Sequence, residues 1–157
     1  MKSIPPEEKV TRLFKKKKKT LAFAESCTGG LISNLVTNVS GSSGFFLGSI
    51  ISYSNNVKVS TLGIPEKTIK KYGAVSREVA LGMAKGARNI LNSSVAVSIT
   101  GIAGPTGGSK LKPVGLAYMA LVSPTKQKTK KVLFSGTRTS IKKQFANAAL
   151  ELIIENE

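Results

Sequence analysis

The chain has 157 residues, 41% of them hydrophobic and 20% charged, which suits one folded domain with a real core. Lys and Arg total 24 against 8 acidic residues, for a formal net charge of +16, and there is no His, Asp or Trp. These absences exclude Ser-His-Asp and Cys-His mechanisms, leave no donor cluster for a protein-held zinc, and remove the Asp that usually holds magnesium in nucleotide-hydrolysing sites.

Taken in chain order, Pro5 and Pro6 after Ser3 suit the start of a helix that runs to about Lys17. Residues 20–25 (TLAFAE) read as a short buried strand. Leu31, Leu35 and Val39 recur at helical spacing, so a helix is expected at once over 28–39. A Gly/Ser turn over 40–44 leads to a strand over 45–53. Two short helices, 55–62 and 65–72, are split by Gly63. Ser76 opens a stronger helix with Val79, Met83, Ala87 and Ile90 on one face. Residues 95–99 (VAVSI) form a strand, 101–113 a glycine-rich loop, and 114–122 and 132–134 two more strands, with Pro124 and the Lys-rich stretch 126–131 as their connection. A closing amphipathic helix over 139–154 turns Ile141, Phe145, Ala148 and Leu152 inward. The order predicts a layered α/β domain with a mixed sheet, parallel at its first strands and antiparallel at its last. With no repeat and no linker, residues 1–157 are expected to form a single domain that includes the basic helix over 1–19.

The remaining composition narrows the setting. Of the acids, Glu7, Glu8, Glu151, Glu155 and Glu157 sit near the termini, and Glu25, Glu66 and Glu78 lie in the body. Cys27 is single, so no disulfide can form within the chain, which fits a cytoplasmic location. No apolar run reaches the ~18 residues of a membrane span, so no membrane partner is expected. Residues 1–19 are basic but carry no apolar stretch behind their charges, unlike a secretory signal. Lys15 to Lys19 read either as a patch for nucleic acid or an acidic surface, or as a solvated helix end, where cations are favoured. The second reading is preferred, because no aromatic residue is interleaved with the lysines as a stacking platform.

Three segments carry candidate chemistry. Glu25-Ser26-Cys27-Thr28-Gly29-Gly30 lies where a strand turns into a helix, a place that presents backbone N–H groups to an oxyanion or phosphate and points a Ser or Cys above the strand ends. Its bland alternative is a capping Ser or Thr with glycines for close packing. Residues 101–109 (GIAGPTGGS) follow a second strand; they match neither a Walker A loop nor a dinucleotide fingerprint, and would let backbone amides approach a ligand. In residues 53–58 (YSNNVK), Asn55 is a candidate N-cap, which puts Lys58 in the first helical turn, where a cation is disfavoured. A lysine that is also desolvated loses its proton more readily and can activate a Ser hydroxyl, the best base available to a chain without His.

At these segments the chain resembles the C-terminal domain of the CinA family, a domain that also occurs alone as a nicotinamide mononucleotide deamidase. The matching pieces are AESCTGG (24–30), GSS (41–43), YSN with Lys at 53–55 and 58, YGAVS (72–76), SITGIAGPTGG (98–108), KPVG (112–115) and FSG with Arg at 134–136 and 138. The resemblance implies a three-layer α/β/α sandwich with a mixed, mostly parallel sheet, usually oligomeric; no cofactor is expected, and the composition leaves no metal site to expect. It implies an amidohydrolase that converts nicotinamide mononucleotide to nicotinic acid mononucleotide and ammonia. Carried onto this chain, the catalytic residues are Ser26, Tyr53 and Lys58. The substrate-binding set is Thr28, Gly29, Gly30, Thr100, Gly101, Ala103, Gly104 and Arg138. Ser26 would attack the carboxamide carbon, Lys58 would take its proton, and Tyr53 would position Lys58 or relay the proton. Amides near 28–30 or in the second glycine loop would hold the oxyanion, and Arg138 the phosphate. Cys27 is the rival nucleophile, and a catalytically weak module with a regulatory or nucleic-acid-binding role is the rival function. The chain departs from the family pattern at Thr137, where Asp is usual, at Lys142, where a second Arg is usual, and at Lys110 and Leu111, where an acid is common.

Overall fold

The computed structural model describes residues 4–157, so Ser3, set before the first helix above, lies outside them. The chain runs α1 (Pro6–Lys17), β1 (Leu21–Glu25), α2 (Leu31–Thr37), a 3-10 turn (Ser42–Gly44), β2 (Phe46–Ile51), α3 (Asn55–Ser60), α4 (Glu66–Tyr72), α5 (Arg77–Leu91), β3 (Val95–Gly101), β4 (Leu116–Val122), β5 (Gln127–Leu133) and α6 (Arg138–Asn156). The five strands lie in the order β2-β1-β3-β4-β5. β1 pairs in parallel with β2 and with β3, and β4 pairs antiparallel with β3 and β5. Only β4 is therefore reversed. The C-terminal ends of β1, β2 and β3 meet at one end of the sheet, where ligands of open α/β sheets bind.

Alternation along the strands sends large and small side chains to opposite faces. Leu21, Phe23, Val95, Val97, Ile99, Met119 and Leu121 pack under α1, α2 and α6, against Val10, Phe14, Ile32, Val36, Ile141, Phe145 and Ala149. Burying each large side chain contributes about 1.5–3 kcal/mol, so this face holds most of the core. The other face shows Ala22, Ala24, Ala96 and Ala120 to α5, which brings Val79, Ala80, Met83, Ala84 and Ala87 down on them. Small residues let this helix lie close enough for Ser98 Oγ in the sheet to donate to the Ala80 carbonyl. Helices cover both faces, giving three layers.

The elements differ from the sequence expectation at four places. α2 begins at Leu31 because Gly29 and Gly30 take φ of +60° and +100°, left-handed values that keep them out of the helix. The Lys-rich stretch is strand: β5 starts at Gln127 after a tight turn in which Ser123 N–H donates to Lys126 C=O at 2.8 Å. This strand is a sheet edge, and its lysines suit an edge that must stay unpaired. Ile90 is 52% exposed, since the buried face of α5 shifts to Ala80 and Ala84 beside Val79, Met83 and Ala87. On α6, Ala149 rather than Ala148 is fully buried. Lys15–Lys17 close α1, and the run ends before β1, at the end of the sheet opposite the C-terminal strand ends. No helix of the described residues is long and apolar enough to cross a membrane.

Candidate active site

The site is built on the last residue of β1 and the turn that follows. Ser52 N–H donates to Glu25 C=O at 2.8 Å and Ser26 N–H to Ile99 C=O at 3.1 Å, so both neighbouring strands fix the backbone at the nucleophile candidate. The Glu25 side chain is fully buried and gathers six hydrogen bonds. Oε2 accepts from Thr28 Oγ1 at 2.7 Å, Gly30 N at 3.0 Å and Ile32 N at 3.1 Å. Oε1 accepts from Ser33 N at 3.1 Å, Ser33 Oγ at 2.5 Å and Ser49 Oγ at 3.3 Å. The carboxylate thus caps α2, whose own N-cap position is Gly30 and has no side chain to do so.

Ser26 faces Lys58. The Lys58 Nζ lies 3.0 Å from Ser26 Oγ, and donates to the carbonyls of Ser52 at 2.6 Å and Tyr53 at 3.4 Å. Lys58 is 1% exposed. Burial holds its ammonium pKa below the ordinary 10.5, because the charged form is the one that loses hydration. The N-cap of α3 is Ser54, one residue before the expected Asn55, and its Oγ accepts from Val57 N–H at 3.2 Å. Lys58 therefore sits beyond the first turn, with its N–H donating to Ser54 C=O at 3.2 Å. Desolvation, not the helix dipole, is the cause of its shift. Beside it, burial pushes the Cys27 thiol up to about 12, with the Glu25 charge adding to the effect. A thiol so far from ionisation is a poor nucleophile.

Tyr53 meets Lys58 through its main-chain carbonyl only. Its phenol, 62% exposed, accepts from Arg138 at 3.2 Å, and the other arm of that guanidinium donates to Gly104 C=O at 2.5 Å. Tyr53 thus holds Lys58 through its carbonyl, while its phenol bonds Arg138 and makes no hydrogen bond to Lys58. Arg138 opens α6, where Thr137 is the N-cap and accepts from Ser140 N–H at 3.3 Å. A Thr performs the capping that an Asp would perform at that position.

These groups line a cleft of about 260 Å³ together with Asn55, Ala74, Val75, Thr100, Gly101, Ile102, Ala103, Gly104, Thr106 and Gly107. The structure brings Ser26, Tyr53, Lys58, Thr100, Gly101, Ala103, Gly104 and Arg138 to one place. It does not bring Thr28, Gly29 and Gly30 there. The Thr28 hydroxyl and the Gly30 N–H are spent on Glu25, and Gly29 N–H donates to Ser26 C=O at 3.1 Å. In the second loop the amides of Ala103, Gly104, Thr106 and Gly107 donate to no acceptor among the described residues, while its ends are pinned by Ile102 N–H to Leu116 C=O at 2.9 Å and Ser109 N–H to Lys112 C=O at 2.8 Å.

Sequence reasoning missed Asn55 as a wall of the cleft, having used it as a cap; its position three residues before Lys58 on one helix was the available signal. It gave no role to Ala74 and Val75, which Thr100 Oγ1 reaches by donating to Ala74 C=O at 2.9 Å. It also left Glu25 unexplained, although an acid closing an apolar strand must find donors when buried.

A profile of the CinA C-terminal domain matches residues 4–156. A CinA-like protein of Prochlorococcus marinus (strain MIT 9515) is 56% identical over 130 residues, 82% of this chain and 30% of that protein. A CinA-like protein of Thermotoga neapolitana is 47% identical over 145 residues, 92% of this chain and 35% of that one. The chain thus spans about a third of the length of these relatives. The crystal structure of the competence/damage inducible protein CihA from Agrobacterium tumefaciens superposes with a TM-score of 0.92 at 37% identity, covering 99% of this chain and 98% of that one. With the fold, the strand-end cleft and the sequence identity in agreement, the chain belongs to the CinA C-terminal domain family.

Proposed function

We propose that this domain is a metal-independent amidohydrolase that converts nicotinamide mononucleotide to nicotinic acid mononucleotide and ammonia. The observation that carries the reading is the buried Ser26–Lys58 pair at 3.0 Å, opening on a cleft with free loop amides and one arginine. A neutral lysine has two N–H bonds and one lone pair. The Ser52 and Tyr53 carbonyls take the two donors, so the lone pair faces the Ser26 hydroxyl. Lys58 then accepts the Ser26 proton as the oxygen bonds to the carboxamide carbon. The resulting ammonium gives that proton to the departing nitrogen, and ammonia leaves an ester on Ser26. Water adds to the ester carbon, losing a proton to Lys58, and the acid is released as Ser26 recovers its own.

The negative charge that develops on the carboxamide oxygen needs preorganised donors. The Gly29 and Gly30 amides are spent within the turn, so the amides of Cys27 and Thr28, directly after the nucleophile, and the free amides of the second loop are the remaining candidates. Arg138 has five N–H donors and uses two groups of them on Gly104 and Tyr53, leaving capacity for a phosphate. The test is ammonia release from nicotinamide mononucleotide by the purified chain. Ser26→Ala should fold normally and lose the activity. Lys58→Ala should lower turnover by about 10²–10⁴-fold, the worth of a general base, and Lys58→Arg should not restore it, because a guanidinium stays protonated. An active Lys58→Arg enzyme would mean that charge, not proton transfer, is what this position supplies.

A further inference from the structure

We infer that Glu25 is a positioning residue for Ser26: its buried carboxylate fixes the turn that carries the nucleophile. The inference rests on the Ser26–Lys58 reading above. Glu25 does not line the cleft and lies outside hydrogen-bond reach of Lys58 and of any substrate there, so it has no direct part in the chemistry. What it does is tie three pieces of chain to one point. Oε2 holds Thr28 and Gly30 in the turn and Ile32 in α2, and Oε1 holds Ser33 in α2 and Ser49 on β2. The main chain of the same residue is locked between β2 and β3.

The arrangement has a directional logic. Strand alternation sends Glu25 to the face that holds Phe23 and α2, and the next residue, Ser26, to the cleft. A five-residue turn, 26–30, must then leave the sheet and enter a helix, and it contains two glycines in left-handed conformation, so it has little stiffness of its own. Bonds from its third and fifth residues to the carboxylate preceding it close the turn into a ring around Glu25. Backbone N–H groups donate to both oxygens, so an amide here would set its NH₂ against an N–H on one side. A near-attack alignment is sensitive at this scale: a misplacement of about 1 Å can cost about 10² in rate.

The experiment compares wild type with Glu25→Gln, Thr28→Val and Thr28→Ser, each assayed well below its own unfolding temperature. Two readouts are taken: kcat and KM for deamidation, and the rate at which a sulfonyl fluoride probe labels Ser26, read by mass spectrometry. Glu25→Gln should lower kcat by about 10–100-fold with KM within about threefold, and should slow Ser26 labelling to a similar extent. Thr28→Val, which removes one donor from the turn and keeps the carboxylate, should lower kcat by about tenfold, and Thr28→Ser should restore it. The pH at which kcat is half-maximal should not move, because Lys58 still sets it. Lower thermal stability with kcat and labelling both unchanged would overturn the inference and leave Glu25 a structural cap only. Should Glu25→Gln not fold, the Thr28 pair decides: no loss in Thr28→Val overturns it equally. If wild type fails to deamidate while Ser26 is still labelled in a Lys58-dependent way, the proposed substrate is wrong, and the labelling rates still decide the role of Glu25.

Discussion

Two glycine-rich segments leave the same end of the sheet, and they are chemically opposite. The turn after β1 spends its glycine amides and the Thr28 hydroxyl internally: Gly29 N–H bonds Ser26, and Thr28 Oγ1 and Gly30 N–H bond Glu25. The loop after β3 is pinned at its ends but keeps a run of unspent amides facing no internal acceptor. In sequence both read as backbone cradles for an anion. What separates them is one acidic side chain, because an internal carboxylate takes up the donors that a ligand would otherwise find. Glycine content marks where a backbone can approach something; the charge next to it decides whether that something is the protein or a guest.

On the proposed reading, the first segment carries reactivity and the second captures the ligand, and pH tests this most strongly. Lys58 must be neutral to accept a proton, and burial lowers its pKa from 10.5. Turnover should therefore be lost on the acid side and rise roughly tenfold per pH unit up to that lowered pKa, with KM changing little. Stability carries the same signature with a worked sign. Between the folded and unfolded pKa the unfolded chain binds more protons, so stability rises with pH across that window. Below the window both states are protonated and the full penalty of a buried ammonium remains. Lys58→Met should remove this slope, as read by urea unfolding at a series of pH values; a slope that persists would assign it to another group.

A matched pair of glycine substitutions sharpens the contrast. Gly29 has φ of +60° and its added Cβ would meet Lys142 Nζ only at 4.0 Å; Gly107 has φ of +86° and would meet Ile102 Cγ2 at 3.8 Å. Alanine fits either space, so each substitution should cost about 1–2 kcal/mol for the left-handed backbone alone. Only Gly107→Ala should raise KM, by about tenfold, the equivalent of ~1.4 kcal/mol of binding. Equal KM effects at the two positions would break the distinction. The smallest effect is expected far from both segments. Replacing Lys15–Lys19 by Gln should change kcat/KM by less than about twofold at 0.15 M salt, where charges are screened within about 8 Å. A large loss there would bring the distant basic end into substrate capture.

Most of the architecture was legible because periodicity and punctuation agree. α1, β1, α5 and β3 fall where the apolar spacing, Pro6 and Ser76 place them. β5 was misread because lysines at an edge strand look like a solvated loop: the alternation is there, but both faces are partly wet and neither reads as hydrophobic. Ile90 was misplaced because helix periodicity gives a face but not the helix turn at which the sheet ends. In the cleft, residue chemistry points to Ser26 and Lys58, and resemblance alone points to Arg138; the structure lines one cleft with all three. The fate of Thr28, Gly29 and Gly30 was not legible, since it depends on where a carboxylate three to five residues earlier sends its oxygens. Tyr53 shows the same limit: its phenol and its carbonyl serve different partners, and sequence names only the residue.

The alanine face of the sheet has a consequence for redesign. Ala22, Ala24 and Ala96 act as a spacer one methyl group thick between sheet and α5, and the Ala74–Val75 wall of the cleft, just before α5, is latched to the sheet by Thr100. The aperture is therefore gauged from inside the core. A Val at position 24 or 96 would wedge α5 outward at an overpacking cost of about 1–3 kcal/mol and load the Thr100 latch on that wall, so the shape of the cleft depends on residues that do not line it.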